Sequence, residues 1–180
     1  ASTDLAAYTT DLAASTNKEK NNQAFVVDAN RCISYLTIEN KGGIDLALRE
    51  RLGDWVFGCD ICQEVCPYNS KPPLTPWPEF HPERGAGHYL DLLGILNTSS
   101  QDEFRARFID SPVRRPKLRG LQRNSLVVLG NKLRRLESLN GKVPGDSREQ
   151  AASNDPERII GGVLDFLEVS QDEMLVEHAR

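Results

Sequence analysis

Three of the four cysteines of this 180-residue chain lie in Gly58-Cys59-Asp60-Ile61-Cys62-Gln63-Glu64-Val65-Cys66-Pro67. The C-x2-C-x3-C-P spacing lets the first two thiolates reach one inorganic centre from a single tight turn, and the proline stops the chain from folding back. The same spacing ends the run by which bacterial 4Fe-4S sites are held, in which the cysteine before the proline ligates the second of two clusters. The sequence therefore predicts an iron–sulphur site and, through Cys66, a second cluster for which the chain has too few thiols.

Other uses of these thiols fit the pattern less well. A zinc ribbon would repeat C-x2-C or add a close pair of histidines, and neither follows Cys66. A redox dithiol normally occurs in a βαβ context, which is not evident here. A disulfide scaffold does not suit four cysteines in 180 residues without a secretory segment before them. Zinc and inert thiols remain the alternatives to a cluster.

The fourth cysteine, Cys32, lies in Asp28-Ala29-Asn30-Arg31-Cys32-Ile33-Ser34-Tyr35-Leu36-Thr37-Ile38-Glu39. From Val27 to Asn69, this stretch and the cysteine run resemble the epoxyqueuosine reductases, which carry out the last step of queuosine synthesis in tRNA. A further motif, Arg123-Asn124-Ser125-Leu126-Val127-Val128-Leu129-Gly130-Asn131, is similar to the segment that opens the C-terminal HEAT-like helices of that family. The resemblance implies a mainly α fold, with a ferredoxin-like 4Fe-4S segment followed by a HEAT-like α-helical bundle.

The function implied by the resemblance is a tRNA-modifying oxidoreductase. Such an enzyme uses cobalamin and two 4Fe-4S clusters to remove the epoxide oxygen of epoxyqueuosine in the anticodon loop, with electrons from an external donor. The family's cobalamin domain and general acid have no counterpart here, so no catalytic residue is assigned. The positions of its first cysteine motif are occupied by other residues: Ala6, Thr9, Leu12 and Thr16. We therefore expect a fragment or divergent homologue, cut at both ends and not catalytically complete alone.

The resemblance also implies which cluster each thiol serves. Cys32, Cys59 and Cys62 would supply three ligands of one cluster, and Cys66 would supply one ligand of the other. A single rearranged cluster on all four cysteines is an alternative, in which Cys66 turns towards a centre that it normally faces away from. Two other functions also stay open. The chain could be a stand-alone 4Fe-4S electron-transfer module, or a tRNA-binding module with a vestigial cluster.

Basic charge is concentrated in one segment of an acidic chain. Residues 105–135 contain ten basic residues against one acid, a net charge of +9 in a chain whose total is −4. Clustered Lys and Arg release counterions from a phosphate backbone, so this segment predicts contact with tRNA phosphates. The candidate nucleic-acid-binding residues are Arg114, Arg115, Lys117, Arg119 and Arg123. The alternative is a solvated face paired with acids such as Asp146, Glu149, Asp155 or Glu157.

Composition and hydropathy indicate an ordinary globular protein. The chain has 39% hydrophobic and 27% charged residues, and no apolar run approaches the length of a membrane helix. No targeting segment is visible, so we expect a cytoplasmic monomer that makes no contact with a membrane.

The chain is predicted to have three parts. Residues 1–24 form a divergent or disordered segment, residues 25–82 form the iron–sulphur segment with a proline-rich linker, and residues 83–180 form the HEAT-like region. Apolar spacing and caps predict the helices, which are 44–55, 101–108, 118–136, 157–169 and the start of another after Gln171. Residues 140–155 are expected to form a loop, and Trp77 and Phe80 to cover apolar surface from the linker. His81 and His88 are not expected to be functional.

Overall fold

The regular structure of the chain is helical wherever it can be described. The computed structural model describes residues 28–87, 89–139 and 155–180, and within these ranges it contains no β-strand. We number the α-helices of these ranges in chain order as α1 (Leu46–Arg49), α2 (Ile61–Glu64), α3 (Leu92–Leu96), α4 (Gln101–Arg107), α5 (Lys117–Ser138), α6 (Pro156–Val169) and α7 (Glu173–Ala179). The mainly α fold class is confirmed. The predictions for residues 1–24, for His88 and for the loop at 140–154 fall outside the described residues.

Helix α5 is the centre of the fold. Every residue from Leu121 to Leu129 is buried, so this stretch of helix is enclosed on all sides rather than lying on the surface. The helix packs against α3, α4, α6 and α7, and also against the segments that carry Cys32 and Cys59. Its bounds agree with the predicted helix 118–136 to within two residues at either end.

Several of the shorter helices begin at side-chain caps that the sequence provides. Ser100 Oγ accepts the Glu103 N–H at 3.1 Å to start α4, and Asp155 Oδ1 accepts the Glu157 N–H at 3.1 Å to start α6. The predicted helix 44–55 starts at Asp45 but is shorter than expected. It consists of α1 and a 3-10 turn, Glu50–Leu52, and ends where Gly53 takes a positive φ of 53°.

Three apolar clusters form the core. The first joins α3, α5, α6 and α7 around Leu129 and Ile159, and the second joins α3, α4 and the start of α5 around Phe104 and Leu121. The third joins Ile33, Leu36, Ile44 and Leu52 of the iron–sulphur segment to Val127 of α5, with Cys59 packed against it. Helix α5 therefore contributes to all three clusters and supports the cysteine-bearing segments directly.

The proline-rich linker lies outside these clusters. Between Ser70 and Pro82 it forms no α-helix, as predicted, and makes only a short 3-10 turn at Pro78–Phe80. Trp77 is 63% exposed and Phe80 is 72% exposed, and the two rings contact each other with centroids 6.3 Å apart. The prediction that they cover apolar surface is therefore wrong for the described part of the chain. Across the same residues, no helix has both the length and the hydropathy needed to cross a membrane.

Candidate metal centre and nucleic-acid interface

The four cysteines are free thiols placed in or beside short helical turns. Cys32 follows the 3-10 turn Ala29–Arg31, and its carbonyl accepts the Leu36 N–H at 2.9 Å, which starts the next helical segment. Cys59 lies two residues before α2, Cys62 lies within it, and Cys66 lies two residues after it. Cys62 is exposed, whereas the other three are half-buried. The turns thus present thiols from two separate segments of the chain.

The Cys59 thiol is affected by burial and by the charges of two other cysteines. Burial raises the pKa of the Cys59 thiol above its ordinary value, and negative charge on Cys32 and Cys62 raises it further, while the Ile61 N–H opposes the shift. Cys32 is 27 positions from Cys59 in sequence, so the fold has brought this pair together. The grouping of Cys32, Cys59 and Cys62 is the one that the family resemblance implies.

A cluster and a single metal ion require different spacings of their ligands. Zinc requires its sulphur ligands at about 2.3 Å, in a tight tetrahedron. Thiolates around an iron–sulphur cluster bind different iron atoms, so they lie further apart than the ligands of one ion. Within the ranges that the structure describes, no group of three His, Cys, Asp or Glu side chains is placed to hold one ion.

A buried polar network links the two cysteine-bearing segments to α5. We call Thr37, Arg123 and Asn124 the latch; each is 0% exposed. Thr37 Oγ1 accepts the Gly58 N–H at 3.0 Å and donates to the Ile33 carbonyl at 2.8 Å. Gly58, the residue before Cys59, has a positive φ of 71°, a region that residues with a Cβ rarely adopt. The Thr37 hydroxyl thus fixes the backbone beside Cys59 to the helical turn that follows Cys32.

Asn124 ties the same two segments together through its amide. Its Nδ2 donates to the Thr37 carbonyl at 2.7 Å and to the Val56 carbonyl at 2.9 Å, while its Oδ1 accepts from Arg123 Nη2 at 2.8 Å. Val56 lies three residues before Cys59, and Thr37 lies five residues after Cys32. One side chain of α5 therefore bridges the backbones on both sides of the candidate site.

Arg123 closes the turn that follows Cys32. Its guanidinium donates to the carbonyls of Leu36 at 2.7 Å, Asn40 at 2.9 Å and Gly42 at 2.5 Å. Burial lowers the pKa of Arg123 to about 10, and the nearby charge of Arg119 adds to this effect. The side chain is enclosed and its donors are directed at backbone oxygens of its own chain. The prediction that Arg123 contacts nucleic acid is therefore wrong, because no phosphate can reach it in this structure.

The other four candidate nucleic-acid residues lie exposed at the start of α5. They are Arg114, Arg115, Lys117 and Arg119. Arg115 forms an ion pair with Glu39, and Arg119 forms a two-pronged pair with Asp172, with Nη2 to Oδ1 at 3.0 Å. The hydrogen bond to Asp172 raises the pKa of Arg119, and the same bond lowers the pKa of Asp172.

The acids that pair with this surface are not the ones that the sequence suggested. Glu39 and Asp172 lie 76 and 53 positions from their partners, whereas Asp155 caps α6. Asp146 and Glu149 are outside the described residues. Among the residues that the structure describes, Arg114 and Lys117 have no ion-pair partner, so they are the cations most available to an anionic ligand.

One comparison with known proteins concerns the cysteine-bearing segment. A family model described as a 4Fe-4S double cluster binding domain matches residues 15–69. That range contains all four cysteines and also Thr37 of the latch. The match supports iron–sulphur binding by this segment.

Curated relatives match a longer stretch. Epoxyqueuosine reductase of Pseudomonas aeruginosa is 48% identical over 107 residues, which cover 58% of this chain and 28% of that protein. The Salmonella typhimurium epoxyqueuosine reductase is 42% identical over 129 residues, covering 68% of this chain and 33% of the relative. The chain thus spans about a third of the length of these relatives.

Solved structures agree in fold. One of epoxyqueuosine reductase from Bacillus subtilis has a TM-score of 0.52 and 28% identity, and covers 85% of this chain and 44% of that one. Another, of an epoxyqueuosine reductase with an epoxyqueuosine-modified tRNA stem loop, has a TM-score of 0.53 with the same identity and coverage. The predicted resemblance to the iron–sulphur and helical part of epoxyqueuosine reductases is confirmed.

Proposed function

We propose that this chain is the cluster-binding part of an epoxyqueuosine reductase, in which Cys32, Cys59 and Cys62 ligate one 4Fe-4S cluster. Cys66 provides a ligand of the second cluster. The observation that carries the proposal is the 3.0 Å hydrogen bond from the Gly58 N–H to Thr37 Oγ1, together with the packing of Cys59 against the cluster that contains Ile33. These contacts bring the backbone beside Cys59 to the segment that carries Cys32, although the two cysteines are distant in sequence. The remaining ligands and the cobalamin that the resemblance implies would come from outside the described residues.

In the reaction, this chain would hold the 4Fe-4S cluster and shield it from water. A bound 4Fe-4S cluster supplies single-electron transfer, and the protein sets its burial, its hydrogen bonds and its distance from the partner. Cys59 packs against the third apolar cluster, which keeps water away from one side of the site. Cys62 is exposed, so the opposite side is accessible to an electron donor or to the rest of a larger enzyme.

Ligation requires each thiol to lose its proton. Because the pKa of Cys59 is raised, this proton is held more tightly than that of an ordinary thiol, and metal binding must displace it.

We also propose that the exposed basic surface contacts tRNA phosphates. The structural neighbour with a bound tRNA stem loop supports this assignment. Arg114 and Lys117 are ready to bind phosphate, whereas Arg115 and Arg119 must exchange Glu39 and Asp172 for phosphate oxygens. Such contacts position a nucleic acid without reading its bases.

The test is anaerobic reconstitution of the full chain with iron and sulphide, followed by iron counting and EPR of the dithionite-reduced protein. The proposal expects a cluster signal that is lost in Cys32→Ser and Cys59→Ser and survives in Cys66→Ser. A signal of four irons per chain that disappears in Cys66→Ser would instead indicate one rearranged cluster, as in a stand-alone electron carrier. No iron retention by any variant, with tRNA binding intact, would leave the tRNA-binding module.

A further inference from the structure

We infer that Thr37 and Asn124 are positioning residues that set the separation between the Cys32 and Cys59 thiols, and thereby control how long a cluster is retained. This inference rests on the proposed function, because the two thiols are taken as ligands of one cluster. Neither side chain is itself a ligand. Both act through the backbone that carries the ligands.

The two cysteine-bearing segments are joined by hydrogen bonds close to the proposed ligands. The Cys32 segment and the Cys59 loop are linked directly by the Gly58 N–H bond to Thr37 Oγ1, at 3.0 Å. They are linked indirectly by Asn124, whose single amide group donates to both the Thr37 and the Val56 carbonyls. The groups of Thr37, Val56 and Gly58 that form these bonds are within five residues of a cysteine, so a shift in any of the bonds is transmitted to the thiols.

Burial makes the loss of any of these hydrogen bonds costly. Thr37 and Asn124 are fully buried, so water cannot replace a lost partner, and an unpaired carbonyl or N–H there is costly. The Asn124 amide is also oriented by Arg123, which donates to its Oδ1 through both Nε at 3.1 Å and Nη2 at 2.8 Å. The amide cannot flip without placing its NH2 group against the guanidinium. Its two donors are therefore held facing the two carbonyls.

Helix α5 supplies a matched control for a purely structural role. Asn131 donates through Nδ2 to the carbonyls of Arg49 at 2.8 Å and Gly53 at 3.1 Å. This is the same chemistry as that of Asn124, from the same helix to two backbone carbonyls, but the segment that it holds carries no cysteine. Asn131→Ala therefore reports the cost of losing such an amide without disturbing the thiols.

The first experiment measures iron release. The full chain and its Asn124→Ala, Thr37→Val and Asn131→Ala variants are reconstituted anaerobically, and loss of iron to a chelator is followed together with the EPR line shape. Removing a residue that orients metal ligands typically costs 10- to 100-fold in metal affinity, so we expect iron release to accelerate by about tenfold in Asn124→Ala and Thr37→Val. Asn131→Ala should release iron at the wild-type rate, even if its melting temperature falls by as much as that of Asn124→Ala.

Conservative variants separate positioning from folding. Thr37→Ser keeps the hydroxyl that accepts from Gly58 and should restore the wild-type rate. Asn124→Asp keeps the acceptor for Arg123, and so favours a folded protein, but loses the donors to Thr37 and Val56. It should release iron as fast as Asn124→Ala.

The second experiment needs no cluster. In a chain carrying Cys62→Ser and Cys66→Ser, the rate at which a short bifunctional thiol reagent joins Cys32 to Cys59 is measured by mass spectrometry. We expect Asn124→Ala to slow this cross-linking severalfold and Asn131→Ala to leave it unchanged. If wild-type protein retains no iron, the proposed function fails while this measurement still tests the positioning role. Equal cross-linking rates in the Asn124→Ala and Asn131→Ala chains would overturn the inference, as would equal rates of iron release.

Discussion

The two sides of the cysteine module are neighbours in sequence but are held in opposite ways. The anchored side, residues 32–59, packs on α5 through the third apolar cluster and is bonded to it by the latch. The exposed side, residues 62–80, is ordered by local turns, such as the bond from Asn69 Nδ2 to the Gln63 carbonyl at 3.1 Å. Tyr68 is 93% exposed and Leu74 is 97% exposed on that side.

The difference shows that order at a metal site need not come from the segment that carries the ligands. On the anchored side, a helix without cysteines fixes the backbone around Cys32 and Cys59. On the exposed side, nothing within the described residues does the same for Cys66. This contrast matches a chain that positions one cluster largely by itself and offers only one ligand to another.

The largest loss of stability is expected when Arg123, the charged residue of the latch, is replaced. Arg123→Leu leaves the carbonyls of Leu36, Asn40 and Gly42 without their donor in a buried site. We expect the free energy of unfolding, measured by urea denaturation, to fall by about 3–5 kcal/mol. Arg115→Leu, on the exposed basic surface, should cost no more than about 1 kcal/mol. Similar costs for the two substitutions would mean that the anchored side does not depend on Arg123.

Two glycines should respond in opposite ways to substitution by alanine, one on the anchored side and one in α5. Gly58 has a positive φ of 71°, so Gly58→Ala should destabilise the protein by about 1–2 kcal/mol. Gly130 lies in α5, and a Cβ there would meet nothing within 4 Å. Gly130→Ala should therefore stabilise the protein by about 0.5–1 kcal/mol. Thermal unfolding of both variants measures the two changes in stability. A gain in stability for Gly58→Ala would contradict the need for glycine at this positive φ.

The anchored side should also weaken as the pH is lowered. His178 Nε2 accepts the Ile44 N–H at 2.9 Å and Nδ1 donates to the Met174 carbonyl at 2.7 Å, so the ring is neutral in this arrangement. Burial lowers the pKa of His178, so the unfolded chain takes up this proton more readily than the folded one.

The resulting dependence has a defined direction. Stability from this group is complete above the ordinary histidine pKa of about 6.5 and is lost as the pH falls towards the lower folded value. The charges that face the ring are Glu177, Arg49 and Arg123. Denaturation at pH 7.5 and pH 5.5 should show wild type losing more stability than His178→Gln. If His178→Gln loses as much stability as wild type between the two pH values, the loss comes from other groups.

The smallest effect on stability is expected at the unpaired cations of the basic surface. The double variant Arg114→Ala, Lys117→Ala should change the free energy of unfolding by less than about 0.5 kcal/mol. It should weaken tRNA binding and reduce the slope of log affinity against log salt by about 1.5–2. Lys71→Ala with Arg180→Ala, which removes two exposed charges elsewhere, serves as the control for net charge. An unchanged slope in the first pair alone would exclude these residues from the interface.

Much of this fold could be predicted from patterns that act locally. Helices α5 and α6 were located because apolar spacing and caps such as Asp155 operate within one turn. The grouping of Cys32, Cys59 and Cys62 is implied by the family resemblance and stays a prediction.

What the sequence could not reveal depends on contacts between distant residues. A run of arginines on a helix does not indicate which one faces inward, and Arg123 is buried only because carbonyls 81 to 87 positions away line its site. The signal was present in the motif Arg123-Asn124, which the resemblance had assigned to the opening of a helical repeat. The exposure of Trp77 was missed for the same reason, because no local rule gives the distance from a linker to the nearest apolar surface.

The length of chain between the latch residues has a consequence for biosynthesis. Asn124 is bonded to Thr37 across 87 positions and to Val56 across 68. A chain made from its N-terminus therefore presents all four thiols to the cell before the helix that fixes two of them exists, and domains order as their parts become available. During translation the thiols pass through a period in which the bonds that fix their backbone have not yet formed. On the proposed function, iron and sulphide would be retained only once α5, which ends at Ser138, can pack on the cysteine-bearing segments, so cluster insertion is expected to follow the emergence of this helix.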